Sequence, residues 1–167
     1  KQHGAWTVLI ASFIHGSSVG ARFGSEAMLL LISVIAAFLG RGALGMYLSL
    51  SPAQRRTRGL SAWIMLYFGL FILSGAWLMF WYKLRLLGLL GISGIGLAAF
   101  SLSLEKDKRD MTLGGQIINI LGLSLIAPAA QYCASGSYSL KTLGVWLVCV
   151  FFFLGSVFHV RFLLRRR

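Results

Sequence analysis

Apolar residues run along this chain in long blocks, and polar residues collect in the short gaps between them. Six blocks stand out: Ala5–Val19, Ala27–Leu39 resuming as Ala43–Leu50, Leu60–Tyr82, Leu86–Leu104, Met111–Ala134 and Leu143–Val160. A hydrocarbon core about 30 Å thick takes about 20 apolar residues of helix to cross, and the blocks have or approach that length. A closed membrane β-barrel would instead show alternating segments of about ten residues, a pattern this sequence lacks. The blocks therefore predict an all-α, polytopic membrane helix bundle of about six transmembrane helices, one domain over residues 1–167. The chain begins without Met and stops at Arg165, Arg166 and Arg167 directly after a span. That pattern fits a fragment whose remaining part supplies further helices.

The gaps carry the orientation. With a cytoplasmic N-terminus, the inner side receives Lys1, Arg55, Arg56, Arg58, Lys106, Lys108, Arg109, Arg161, Arg165, Arg166 and Arg167, which is eleven cations. The outer side receives four, Arg22, Lys83, Arg85 and Lys141, and Arg41 lies within a span. Cytoplasmic loops hold the excess of Lys and Arg, so the expected topology is N-in and C-in, in a bacterial cytoplasmic membrane. Trp63 and Tyr67 near one end of the third block, with Trp77, Trp81 and Tyr82 near the other, sit where interfacial aromatic belts belong.

Composition agrees. The 167 residues are 57% apolar and only 12% charged, with four acidic side chains against sixteen basic ones; a soluble domain carries about a quarter charged residues. Mean hydropathy is +0.80 and the isoelectric point near 10.7. Such basicity alone fits nucleic-acid binding, but that reading needs a recognisable module and a basic, aromatic-studded polar face. Here the cations are scattered over short loops, so no nucleic-acid partner is expected. A secretory leader cleaved near Gly16, Ser17 and Ser18 is an alternative for the first block, against which Trp6 and His3 speak. Cys133 and Cys149 have no CxxC spacing and no clustered His, which predicts two buried free thiols and no metal site.

The glycines predict helix contacts. Gly16, Gly20 and Gly24 stand four apart, and Gly88, Gly91 and Gly94 three apart, so each set is expected to line a helix face that a neighbour approaches closely. Gly40, Gly42 and Gly45 bracket Arg41 and predict a break in the second span, the kind of irregularity that exposes backbone groups to a ligand.

Polar side chains inside a span are costly unless they face a partner or a cavity. Arg41 lies fifteen residues after Glu26, about 22 Å along a helix, which puts it toward the cytoplasmic third of the bilayer; snorkelling to the headgroups is its simplest role. Gln116 and Asn119, three apart, share a helix face near the inner end of the fifth span, and interhelical hydrogen bonding would account for them. His159 and Arg161 close the sixth span on that side, and His3 opens the first. The outer half offers only His15, Gln131 and loop residues. If their helices converge, His3, Arg41, Gln116, Asn119, His159 and Arg161 form a cationic, hydrogen-bond-donating pocket. Such a pocket suits an anion: an oxyanion, a diphosphate or a phosphorylated lipid head.

The acidic residues Glu105, Asp107 and Asp110 fall in one loop, where interleaved Lys106, Lys108 and Arg109 would pair with the carboxylates or repel a divalent ion. A solvated loop with Asp110 or Thr112 capping the next helix is the simpler expectation. No cofactor is implied, and no Ser-His-Asp arrangement, P-loop or HExxH motif is present.

His3-Gly4-Ala5-Trp6 opening the first span, with Lys1 two residues before the His, resembles the start of YwiC-like bacterial membrane proteins. The stretch Gly122-Leu123-Ser124-Leu125-Ile126-Ala127-Pro128-Ala129-Ala130 and the close Val157-Phe158-His159-Val160-Arg161 are similar to that family too. The resemblance implies a membrane class rather than an activity, and a chain continuing beyond residue 167. A more distant likeness is to UbiA-type intramembrane prenyltransferases, which carry Asp-rich magnesium-diphosphate motifs on cytoplasmic loops. The loop after the second span here, Ser51-Pro52-Ala53-Gln54-Arg55-Arg56-Thr57-Arg58, has no Asp. Two functions follow as expectations: a non-enzymatic binder or transporter of an anionic solute or lipid headgroup, and, as the alternative, a transferase acting on a lipid (di)phosphate.

Overall fold

The computed structural model describes residues 3–20, 23–51, 59–106 and 112–165, and among them the regular structure is entirely helical. In chain order the helices are α1 (His3–Val19), α2 (Ser25–Ser49), α3 (Leu60–Phe80), α4 (Leu86–Lys106), α5 (Leu113–Ser124), α6 (Ile126–Ser135) and α7 (Leu140–Arg165). Helices α5 and α6 are the two halves of a single apolar span, Leu113–Ser135. That span, α2, α3, α4 and α7 make five long, apolar candidate membrane spans, with α1 a shorter apolar helix before them. At 1.5 Å per residue the 17 residues of α1 reach about 26 Å, a few ångströms short of the hydrocarbon thickness.

The chain divides into two compact units, Gly24–Gly88 and the remainder. The first is an antiparallel pair, α2 against α3. Ser25 Oγ and the Tyr82 hydroxyl share a hydrogen bond of 2.9 Å, and Ser33 Oγ donates to the Phe71 carbonyl at 3.5 Å. Nearer the other end, a Cβ at Gly40 would stand 3.3 Å from Tyr67 Cβ, so α2 comes close to α3 there. On α3, Trp63 stacks on Tyr67 and Trp77 on Trp81 at centroid separations of 5.8 and 5.3 Å. Trp63, Trp77 and Trp81 are each more than half exposed. Eighteen residues separate Trp63 from Trp81, about 27 Å of helix, which matches the spacing of two interfacial belts.

Helix α2 runs unbroken from Ser25 to Ser49, so the break expected at Gly40, Gly42 and Gly45 does not occur. Glycine in a helix costs only about 1 kcal/mol, and hydrocarbon offers the backbone no competing hydrogen-bond partner. The break falls instead at Leu125, in the fifth span. Pro128 has no N–H to give the Ser124 carbonyl, and its ring crowds that group. Leu125 N–H turns back to the Gly122 carbonyl at 3.3 Å, and Ala129 N–H restarts the helix on Leu125 at 3.3 Å.

In the second unit α6 is the centre, with every residue from Ile126 to Ala134 buried. Helix α1 lies alongside it and runs the same way. A Cβ at Gly16 would overlap the Ala127 carbonyl oxygen, and one at Gly20 would overlap Ala134 Cβ. Those two glycines form the expected close seam; Gly24 does not, because α1 has ended at Val19 and its only near neighbour is Glu26. The Gly88, Gly91 and Gly94 set fails too: Gly88 meets only the Met79 side chain, and Gly91 and Gly94 face open space among the described residues. Helix α7 runs antiparallel to α5 and α6 and closes the core of Ile120, Ala127, Val145, Cys149 and Phe153. Cys133 and Cys149 are both free and buried.

Candidate functional site

One end of this second unit gathers several of the polar residues that the sequence placed inside spans. Helix α4 finishes there, α5 begins and α7 finishes. Thr112 sets the start of α5: its backbone is extended and its Oγ1 accepts from Gly115 N–H at 3.2 Å, an N-cap that satisfies one of the donors a helix start leaves free. From that fixed start Gln116 and Asn119 project one turn apart, both half-buried, but toward different neighbours. Arg161 Nε, on α7, donates to Gln116 Oε1 at 3.0 Å. Ser101 Oγ, on α4, donates to Asn119 Oδ1. The α5 amides thus tie the ends of α4 and α7 to the start of α5.

Arg161 is half-buried, and His159, two residues earlier on α7, is exposed. His3 begins α1, at the end of that helix which lies alongside the start of α5, given the parallel run through Gly16 and Ala127. Arg41 stands in the other unit, half-buried and about two-thirds of the way along α2. Of the six candidate residues the structure therefore joins Gln116 and Arg161 directly and brings Asn119 onto the same helix turn as Gln116. Of the acidic loop, Glu105 is exposed at the end of α4, and Asp107 and Asp110 lie outside the described residues. Among the described residues no three His, Cys, Asp or Glu side chains stand together as metal ligands.

A neutral amide suits a half-buried arginine just past the end of the Leu140–His159 span. It fixes the direction of the guanidinium without bringing a second charge out of water, whereas a buried ion pair adds another desolvation cost. The planar fork of Arg is also the side chain best shaped for a two-point grip on a phosphate or carboxylate.

The opposite end is closed by a polar cluster of which the sequence pattern marked only Gln131. Gln131 is 4% exposed, and Thr142, 0% exposed, donates through Oγ1 to Gln131 Oε1 at 2.6 Å. Gln131 Nε2 donates to Ser135 Oγ at 3.2 Å, and Ser135 Oγ to the Ser137 carbonyl at 2.9 Å. Ser139 N–H donates to Thr142 Oγ1 at 3.1 Å. This chain of bonds folds the α6–α7 turn, which Gly136 makes possible by taking a positive φ of 67°. Its signal in the sequence was Gln131 itself, a polar residue in an alanine-rich run. Ser101 and Thr142 gave none, because a lone Ser or Thr in an apolar helix bonds back to its own carbonyls as readily.

No curated protein and no solved structure matches the chain. The family comparison matches residues 1–131, which takes in Gln116, Asn119 and the Leu125 break and leaves His159 and Arg161 outside the matched part. That match covers most of the chain, and with its candidate membrane spans the protein belongs to the YwiC-like family.

Proposed function

We propose that this YwiC-like multi-pass membrane protein binds an anionic group, on a solute or a lipid head, at the end of the second unit where α4, α5 and α7 meet, and that this end faces the cytoplasm. The observation that carries the reading is the hydrogen bond of 3.0 Å from Arg161 Nε to Gln116 Oε1, which aims a guanidinium from within a bundle whose opposite end is sealed by neutral bonds. The excess of Lys and Arg on the same side supports the orientation and raises the local concentration of anions. Anionic lipid attracts such juxtamembrane cations by about 1 kcal/mol each. Asn119, His159 and His3 belong to the same reading as further donors; Arg41, in the other unit, is not part of this site.

The test is thermal stability of the purified protein with inorganic phosphate, and separately in bilayers with and without phosphatidic acid. A rise in Tm with either, lost in Arg161→Ala and reduced in Gln116→Ala, is expected. The two arms distinguish a free solute from a lipid head. A stabilisation unchanged in Arg161→Ala would refute the site. A stabilisation that required magnesium plus diphosphate would favour a transferase instead.

A further inference from the structure

Four buried polar side-chain atoms have no hydrogen-bond partner among the described residues: Ser12 Oγ, Ser17 Oγ, Ser124 Oγ and Trp146 Nε1. All belong to the second unit, and Ser12 and Ser124 fall where α1 meets the α5–α6 break. Ser12 and Ser124 are each 0% exposed and Ser17 is 3% exposed. Ser12 precedes Gly16 by one turn on one face of α1, and Ser124 precedes Ala127 by about one turn across the break. Gly16 and Ala127 are the point of backbone contact between these parallel helices, so the two hydroxyls lie at one level. Ser12 also faces Cys149 of α7, a weak hydrogen-bond acceptor, without making a bond of normal geometry. Trp146 lies about one turn outward from Cys149 on α7, whereas Ser17, five residues after Ser12, stands about 140° around α1 from it, on another face.

This depth is the middle of the spans, where lipid supplies no compensating partner. Two hydroxyls that each both donate and accept, with an indole that only donates about one turn away, do not match a cation, which the indole N–H would repel. They do not match an anion either, since no charged side chain is among them. Water both donates and accepts, and buried waters settle where two to four such groups converge. The helix break adds an acceptor, because Pro128 leaves the Ser124 carbonyl without its usual donor. We infer that the α5–α6 break is an intramembrane water site, with Ser12 and Ser124 holding water between α1 and the broken span.

Water-edited solid-state NMR of the whole chain in deuterated lipid bilayers tests this. Transfer from water is expected at Ser12 and Ser124 and not at Leu9 or Ala130, which are also 0% exposed. Ser124→Ala is expected to remove the transfer at Ser12 and to lower Tm, because a hydroxyl satisfied by water stabilises the fold whereas an unsatisfied one weakens it. No transfer at either serine, transfer at Ser12 that survives Ser124→Ala, or a rise in Tm for Ser12→Ala or Ser124→Ala would each overturn the inference.

Discussion

Replacing Gly16 by Ala puts one methyl group into the seam between α1 and α6. The new Cβ would overlap the Ala127 carbonyl oxygen and stand 2.9 Å from its carbonyl carbon and 3.0 Å from its Cα. All three obstacles are backbone, so no rotamer change relieves them, and one helix must move. Overpacking of that kind costs about 1–3 kcal/mol, and the rigidity of the obstacle puts Gly16 at the upper end. Alanine returns about 1 kcal/mol of helix propensity, leaving a net loss of about 2 kcal/mol. For a chain of this size that corresponds to a fall in Tm of about 4–8 °C. The same change at Gly91, where nothing lies within 4 Å, keeps only the propensity gain and should raise Tm. Thermal unfolding of both variants in one detergent reads the difference directly. If Gly16→Ala is as stable as Gly91→Ala, the close seam is wrong.

Thr142→Val removes the hydroxyl that satisfies Gln131 Oε1, which stays buried; a loss of about 1–3 kcal/mol is expected, against little change for Ser18→Ala on the exposed side of α1, and comparative Tm values check it. Single-tryptophan variants retaining Trp63 or Trp81 should be quenched more by lipids brominated near the headgroup than by lipids brominated near the chain end; the reverse order would remove α3 from a spanning position. With Cys133 and Cys149 replaced by Ala, a cysteine at Ser137 should react with an impermeant maleimide from outside intact cells, as N-in topology requires, and reaction only after lysis would invert the orientation.

The spans were legible because hydrophobic length is a direct physical requirement of the bilayer, and Ala5–Val19 and Leu60–Tyr82 lie close to α1 and α3. The placing of Trp63 and Trp81 at the two ends of α3 was legible for the same reason. The break was not placed correctly, because glycines around Arg41 looked weaker than they are in hydrocarbon, while the single Pro128 outweighs them by deleting a donor. Glycine spacing identified Gly16 and Gly20 but could not show whether a neighbour exists, and for Gly91 and Gly94 none is found among the described residues. At the candidate site, Gln116 and Asn119 were marked as interhelical hydrogen-bonders and are; which helix each would choose depends on rotation about α5, which sequence spacing of three leaves open. Thr112 was one of the two caps that side-chain chemistry allowed, with Asp110, and it is the one that caps α5.

The burial of α6 from Ile126 to Ala134 sets an order of assembly. Helix α1 is made before α6, yet the surface that Gly16 and Gly20 present fits only that segment, synthesised far later. At about 5–20 residues per second, that glycine face waits several seconds, bordered by lipid or by the insertion machinery, before Ala127 and Ala134 arrive. A segment with no lipid-facing side must then enter between helices already present, or arrive with α7 as a pair. The Gln131–Thr142 bond joins those two segments across a connection of only four residues, so they can enter together. Slots of this kind are where an early helix recruits the wrong neighbour, and substitutions at Ala127 or Ala134 should lower membrane yield before they lower the stability of the molecules that do assemble.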